Sequence, residues 1–110
     1  GSETKLIKGL KLGCAGSISA TLNVTHYLAR KVFDDFEKGS KQSVNDKLIL
    51  IREAFDKYHL ISSLHSFMSV YNSKFKNLLP PLVMLSSEDQ KELLLKLEKI
   101  KFIPTKDMAA

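Results

Sequence analysis

Small hydroxyl side chains at two-residue spacing are the groups in this chain best suited to hold a substrate. Ser17, Ser19 and Thr21 alternate with Ile18, Ala20 and Leu22. On a strand this spacing puts the hydroxyls on one face and the apolar residues on the other. A hydroxyl donates one hydrogen bond and accepts two, which suits a carboxylate or a substrate hydroxyl. Ser2 and Glu3 add a further hydroxyl and a carboxylate near the start of the sequence. Other chemistry is poorly supplied. Cys14 is the one cysteine, and as a nucleophile it would need a histidine or a helix N-terminus to lower its pKa. Without one it reads as a small apolar residue filling space beside Gly13 and Gly16. His26, His59 and His65 have no metal-ligand spacing, and neither H-E-x-x-H nor C-x-x-C occurs. They read as helix-surface or cap residues, and no metal site is expected.

The elements that must position these groups follow from periodicity. Leu6, Ile7, Leu10 and Leu12 give a short helical pattern over 4–12, weakened by Gly9, and Gly13 is placed to end it in a left-handed cap. Ser17 to Val24 alternates as a strand, with Ile18, Ala20, Leu22 and Val24 expected to face a helix layer and Ser17, Ser19, Thr21 and Asn23 an interior. Thr25 is a candidate cap for a helix carrying Leu28, Ala29, Val32, Phe33 and Phe36, stopped by Gly39. Ser43 and Asp46 have capping-box spacing before Leu48, Ile51, Ala54, Phe55 and Tyr58. A helix over about 62–71 follows, with Tyr58, Phe67 and Tyr71 read as core. The stretch 72–85 reads as loop, with helix forbidden at Pro80-Pro81. Ser87 and Gln90 give a second capping box. The last helix carries Leu93, Leu94, Leu97 and Ile100, with Pro104 ending it and 105–110 frayed.

The chain has 110 residues, 44% hydrophobic and 26% charged, which allows one domain of ordinary globular composition. The net charge is +5, but the lysines are spread through the chain and mixed with Asp and Glu, as on solvated helix faces. A nucleic-acid partner is therefore not expected. Gly13-Cys14-Ala15-Gly16 has the bare G-x-x-G of an RNA-clamping loop, but no three-stranded sheet accompanies it. A phosphate-cradling loop would need a strand before the glycines and a helix after them. No apolar run approaches the roughly 18 residues that span a bilayer, and no basic segment leads into an apolar stretch at the N-terminus. A single cysteine fits a reducing cytoplasm.

The glycine-rich segment resembles the last barrel strand of the dihydrodipicolinate synthase and N-acetylneuraminate lyase family, which often reads G-x-x-G-x-I-S-x-T-x-N. Gly13, Gly16, Ile18, Ser19, Thr21 and Asn23 stand at those places. The family also has a Gly-x-Asp/Glu turn upstream, matched by Gly1-Ser2-Glu3, with Glu3 15 residues before Ile18. A Pro-Leu-x-x-Leu-Ser-x-Glu-like stretch before the family's last helix is matched by Pro81-Leu82-Val83-Met84-Leu85-Ser86-Ser87-Glu88. The chain departs from many synthases where they have an Asn-Pro-rich segment and it has His59-Leu60-Ile61-Ser62-Ser63-Leu64-His65. The family's Schiff-base lysine, its proton-relaying tyrosine and its Gly-Thr-Thr-Gly segment lie on earlier strands, and none of those motifs is present.

The resemblance implies an α/β fold class: the C-terminal fragment of a (β/α)8 TIM barrel, mostly α-helical as an isolated chain. Residues 1–39 would be the last βα units of the barrel and residues 40–110 a C-terminal helical extension. It implies that the parent enzyme condenses pyruvate, held as an enamine on a lysine, with a small aldehyde, or runs the reverse cleavage. Dihydrodipicolinate synthase is the nearest such activity; a sugar-acid aldolase of the same family is the alternative. Ser2 and Glu3 would contact polar groups of the second substrate. Ile18 would offer its backbone carbonyl near the reacting lysine while its side chain packs in the core, and Ser19 would line the pocket. No catalytic residue, metal or cofactor is expected here. The partners implied are pyruvate, an aldehyde, the rest of the barrel and further copies in a homo-oligomer, with no nucleic acid and no membrane, in the cytoplasm. The reading from a different class is a free-standing helical interaction module without catalysis.

Overall fold

A computed structural model describes residues 1–102, which fall into two compact units, Gly1–Arg52 and the residues from Glu53 onward, divided inside one helix. The expectations for Pro104 and 105–110 lie outside the described residues.

The first unit opens with a single 3-10 turn, Glu3–Lys5, that runs into α1 (Leu6–Lys11). After an irregular stretch come α2 (Leu22–Glu37) and α3 (Asn45–Asp56), the latter crossing into the second unit. Helix α1 packs on α2. Leu6 and Leu10 of α1 and Val24, Leu28 and Val32 of α2 are buried. Each such side chain contributes about 1.5–3 kcal/mol by leaving water. Gly13 and Gly39 end α1 and α2 in the same way. Both have positive φ, 93° and 66°. Cys14 N–H reaches the Gly9 carbonyl at 3.0 Å, and Ser40 N–H reaches the Asp35 carbonyl at 2.9 Å. These are the six-to-one bonds of a Schellman cap, and glycine makes the left-handed residue cheap.

The expected strand at 17–24 is absent, and no strand occurs among the described residues. Residues 14–19 are irregular. Leu22, Asn23 and Val24 instead open α2, their N–H groups reaching the carbonyls of Ser19, Ala20 and Thr21. A strand needs a neighbour to take its alternate donors and acceptors. With none among the described residues, the local turn at Ser19 to Val24 is the way these groups are paired. The alternation fails with the strand: Ile18 is 92% exposed, while Thr21 and Val24 are both buried. Thr25 does not cap α2 but lies in its first turn, its hydroxyl donating to the Thr21 carbonyl at 3.0 Å. Ser43 does not cap α3 either. Its hydroxyl and N–H both go to Asp35 Oδ2, at 2.8 and 3.3 Å.

The second unit is built on α4 (Leu60–Ser69), which packs on α5 (Ser87–Lys99) and on a 3-10 turn, Ser73–Lys76, inside the expected loop. Almost the whole circumference of α4 is buried, including Ser62, Ser63, Ser66 and Ser69. A helix can bury polar residues on every side only where each finds a partner. Here Ser63 donates to the Leu60 carbonyl at 2.7 Å, and Ser69 to the Ser66 carbonyl at 2.8 Å. The Ser66 hydroxyl accepts the Leu85 N–H at 3.0 Å, and its carbonyl accepts Gln90 Nε2 at 2.8 Å. That last bond corrects the second capping box. Gln90 leaves the helix end for α4, and the cap is Ser86, whose hydroxyl accepts the Asp89 N–H at 3.1 Å. Phe67 sits at the centre, ring centroids 5.6 Å from those of Phe55, Tyr71 and Phe102. Tyr58 is half-buried and Tyr71 48% exposed, so neither is fully core.

Candidate substrate-binding site

Three residues from separate stretches of the first unit meet in one polar knot. The 3-10 turn places Glu3 so that its side chain is fully buried, at 0% exposure. Ser19 Oγ donates to Glu3 Oε2 at 2.5 Å. From α3, Arg52 Nη1 donates to the same Oε2 at 3.1 Å and to Ser19 Oγ at 3.0 Å. Arg52 is itself 11% exposed. A carboxylate out of water is costly unless a cation and hydrogen bonds replace the lost hydration, and here both fall on one oxygen. The other oxygen, Oε1, is buried and has no hydrogen-bond partner among the described residues.

The arrangement is chemically one-sided. Ser19 has one proton, and it is committed to Glu3. Arg52 balances the carboxylate charge. What the knot leaves available is acceptor capacity on Oε1, so a group meeting it must be a donor. Glu3 also lines a cavity of about 240 Å³ with Ser17, His26 and Arg30 among its other walls. Arg30 there is engaged by Asp34 at 3.1 Å and lies over the Phe33 ring.

The four expected binding residues divide. Glu3 and Ser19 are brought together although 16 residues apart. Ser2 turns instead to its neighbour, its hydroxyl 2.8 Å from that of Thr4. Ile18 does not pack in a core: its side chain projects into solvent, because the strand that would have buried it is not formed. Its carbonyl nonetheless lies against Gly1, where an added Cβ would come within 2.9 Å of the oxygen. Thr21 is buried, and its hydroxyl has no partner.

Arg52 was missed by sequence reasoning, and a signal for it existed. It stands four residues after Leu48 and three before Phe55, on the buried stripe of α3. A charged residue on an apolar stripe must find a buried counter-charge. The second buried carboxylate, Asp35, belongs to a different setting. Hydrogen bonds from Lys31, foremost, and then from Ser43 hold its carboxyl below the ordinary range.

The remaining candidates carry no site. Cys14 is exposed rather than packed as filler. His26 is exposed on α2. His59 caps α4, and His65 is half-buried with Nδ1 2.9 Å from the Phe75 carbonyl. Among the described residues no group of three His, Cys, Asp or Glu could hold a metal, and no helix is long and apolar enough to cross a membrane.

Comparison with curated proteins and with solved structures returns no match. The model of the Dihydrodipicolinate synthetase family matches residues 1–100. That span covers the Glu3–Ser19–Arg52 knot, both Schellman caps of the first unit and nearly all of the helical second unit. The chain belongs to the dihydrodipicolinate synthetase family.

Proposed function

We propose that this chain is the C-terminal part of a class I, pyruvate-dependent lyase or synthase, and that Glu3 and Ser19 bind polar groups of the aldehyde partner. The parent enzyme forms an imine between a lysine amine and the pyruvate carbonyl, releasing water. Loss of a methyl proton then gives an enamine, whose carbon attacks the aldehyde. The lysine lies outside these 110 residues, so this part supplies pocket wall and not the nucleophile. The observation that carries the reading is the meeting of the two family motifs in space, with Ser19 on Glu3 and the Ile18 carbonyl against Gly1. Residues at the mouth of a barrel should converge in this way. The state of the intervening segment also supports it. Residues 14–18 are exposed, and the N–H groups of 15–20 donate to no backbone carbonyl among the described residues. Such a segment has a ladder to offer to neighbouring barrel strands.

The test is reductive trapping. The 110-residue chain and the longer polypeptide encoded with it are incubated with pyruvate and borohydride, and their intact masses measured. The reading expects a stoichiometric adduct on the longer polypeptide and none on this chain. An adduct on this chain, or none on the longer one, overturns it.

A further inference from the structure

We propose that Arg52 is a positioning residue for the substrate-binding carboxylate, tying the helix that leads into the C-terminal extension to the pocket. The inference rests on the functional reading above and adds a residue which that reading does not contain. Three observations carry it. Arg52 reaches both members of the pair through the one nitrogen Nη1, at 3.1 Å to Glu3 Oε2 and 3.0 Å to Ser19 Oγ. The hydrogen bonds from Ser19 and Arg52 converge on Oε2, and Oε1 is buried without a hydrogen-bond partner among the described residues. Glu3 has no exposed surface, so solvent cannot hold it in place.

The physical consequence is a carboxylate whose rotation is fixed from one side. With Oε2 clamped, the plane of the group is set and Oε1 keeps a single orientation. A donor on the aldehyde partner that enters the cavity lined by Glu3, Ser17 and His26 and displaces its cover over Oε1 then meets an acceptor that is already aligned and costs little ordering to engage. Without Arg52, Ser19 alone would hold Glu3, and the carboxylate would be free to rotate away from its place. Arg52 thus acts through Glu3 and need not touch substrate. Its loss should weaken binding of the aldehyde partner and leave the pyruvate end of the reaction alone.

The test uses the longer polypeptide, with the KM for the aldehyde, the KM for pyruvate, kcat and borohydride trapping read separately. Trapping by the unsubstituted protein comes first. Its absence overturns the functional reading, and this inference falls with it before any variant is made. With trapping present, Arg52→Gln is expected to raise the KM for the aldehyde roughly tenfold or more, the usual scale for one charge-assisted hydrogen bond. The KM for pyruvate and the extent of trapping should be unchanged. Glu3→Gln combined with Arg52→Gln should do no more than Glu3→Gln alone, since the arginine acts through the glutamate. An unchanged aldehyde KM in Arg52→Gln overturns the proposal. So does a parallel loss of trapping and of both KM values, which marks a merely structural role. If Arg52→Gln does not fold, Arg52→Lys, which keeps the charge but not the planar fork, decides. A raised aldehyde KM supports the proposal, and an unchanged one overturns it.

Discussion

The two units solve the same problem, burying polar groups beside apolar ones, with opposite chemistry. The first buries charge. Glu3 is clamped by Ser19 and Arg52, and Asp35 by Lys31 and Ser43. The second buries hydroxyls: four serines of α4 lie within its interior, each bonded to a neighbouring carbonyl, N–H or side chain around a cluster of aromatic rings. Serine costs little to bury because it needs one or two bonds and carries no charge. A carboxylate costs far more and needs a cation and hydrogen bonds in place of its lost hydration. The contrast sets the clamped carboxylates of the first unit against the hydroxyl network of the second.

That contrast breaks most visibly at Phe67, which is 2% exposed. Phe67→Ala should destabilise the protein by about 3–5 kcal/mol, the usual cost of a buried ring and its cavity, measured by urea denaturation. A loss of under about 1 kcal/mol would mean that the aromatic cluster collapses around the gap and does not anchor the second unit. In the first unit the corresponding test is Glu3→Ala. It removes the buried carboxylate that Arg52 and Ser19 both engage, so a loss of up to about 3 kcal/mol is expected. Replacing both partners, Glu3→Leu with Arg52→Met, should recover most of it, because apolar side chains of similar volume need no buried counter-charge. A double variant as unstable as the single one would show that the knot holds the fold by its shape.

Acid sharpens the same comparison. Asp35 titrates below its ordinary value of 3.8, first through Lys31 and then through Ser43. A depressed carboxyl contributes stability that is present above its unfolded pKa and is lost as pH falls through the folded one. Asp35→Asn should therefore be less stable than the parent at neutral pH. The gap should close as pH drops below about 4, followed by thermal melts across pH. A gap that persists at low pH would assign the effect to packing. The buried serines of the second unit do not ionise, so its interior adds no such limb. Its acid-sensitive group, Glu92, has its carboxyl lowered chiefly by Lys57 and then Tyr58. Glu92 is 52% exposed, where screening leaves little net stability.

The helices were legible in the sequence because their signals are local. Gly13 and Gly39 read as caps and form Schellman ends, since the left-handed residue depends only on its own backbone. The apolar stripe of α2 read correctly for the same reason. What failed depended on partners distant in the chain. Ser43 has cap spacing, but Asp35 competes for its hydroxyl. Gln90 has cap spacing, but Ser66 competes for its amide. The alternation over 17–24 is a genuine strand pattern, yet pattern alone cannot form a ladder without a neighbour. Of the candidate site, Glu3 and Ser19 were singled out through the family resemblance, and the structure brings them into contact. Arg52 was invisible to motif reading, and only its position on a buried stripe points to it.

The smallest expected effect has the opposite sign, and it concerns how the second unit ends. Helix α5 stops at Lys99 with the bond pattern of α1 and α2: Phe102 N–H reaches the Leu97 carbonyl at 3.0 Å, and Lys101 N–H the Glu98 carbonyl at 2.9 Å. Phe102 is buried, as the hydrophobic contact of a Schellman cap requires. The residue in the left-handed position is Lys101, with φ 61°, where the other two caps use glycine. A β-carbon there costs about 1–2 kcal/mol, part of which glycine returns as chain entropy. Lys101→Gly should thus stabilise the protein by up to about 1 kcal/mol, seen as a small rise in melting temperature. A fall instead would mean that the lysine side chain contributes more at this cap than its backbone strain costs. Gly39→Ala, at the matching position of α2, should destabilise by a similar amount. Opposite signs at these two sites would show that one cap geometry governs both units, whatever each buries.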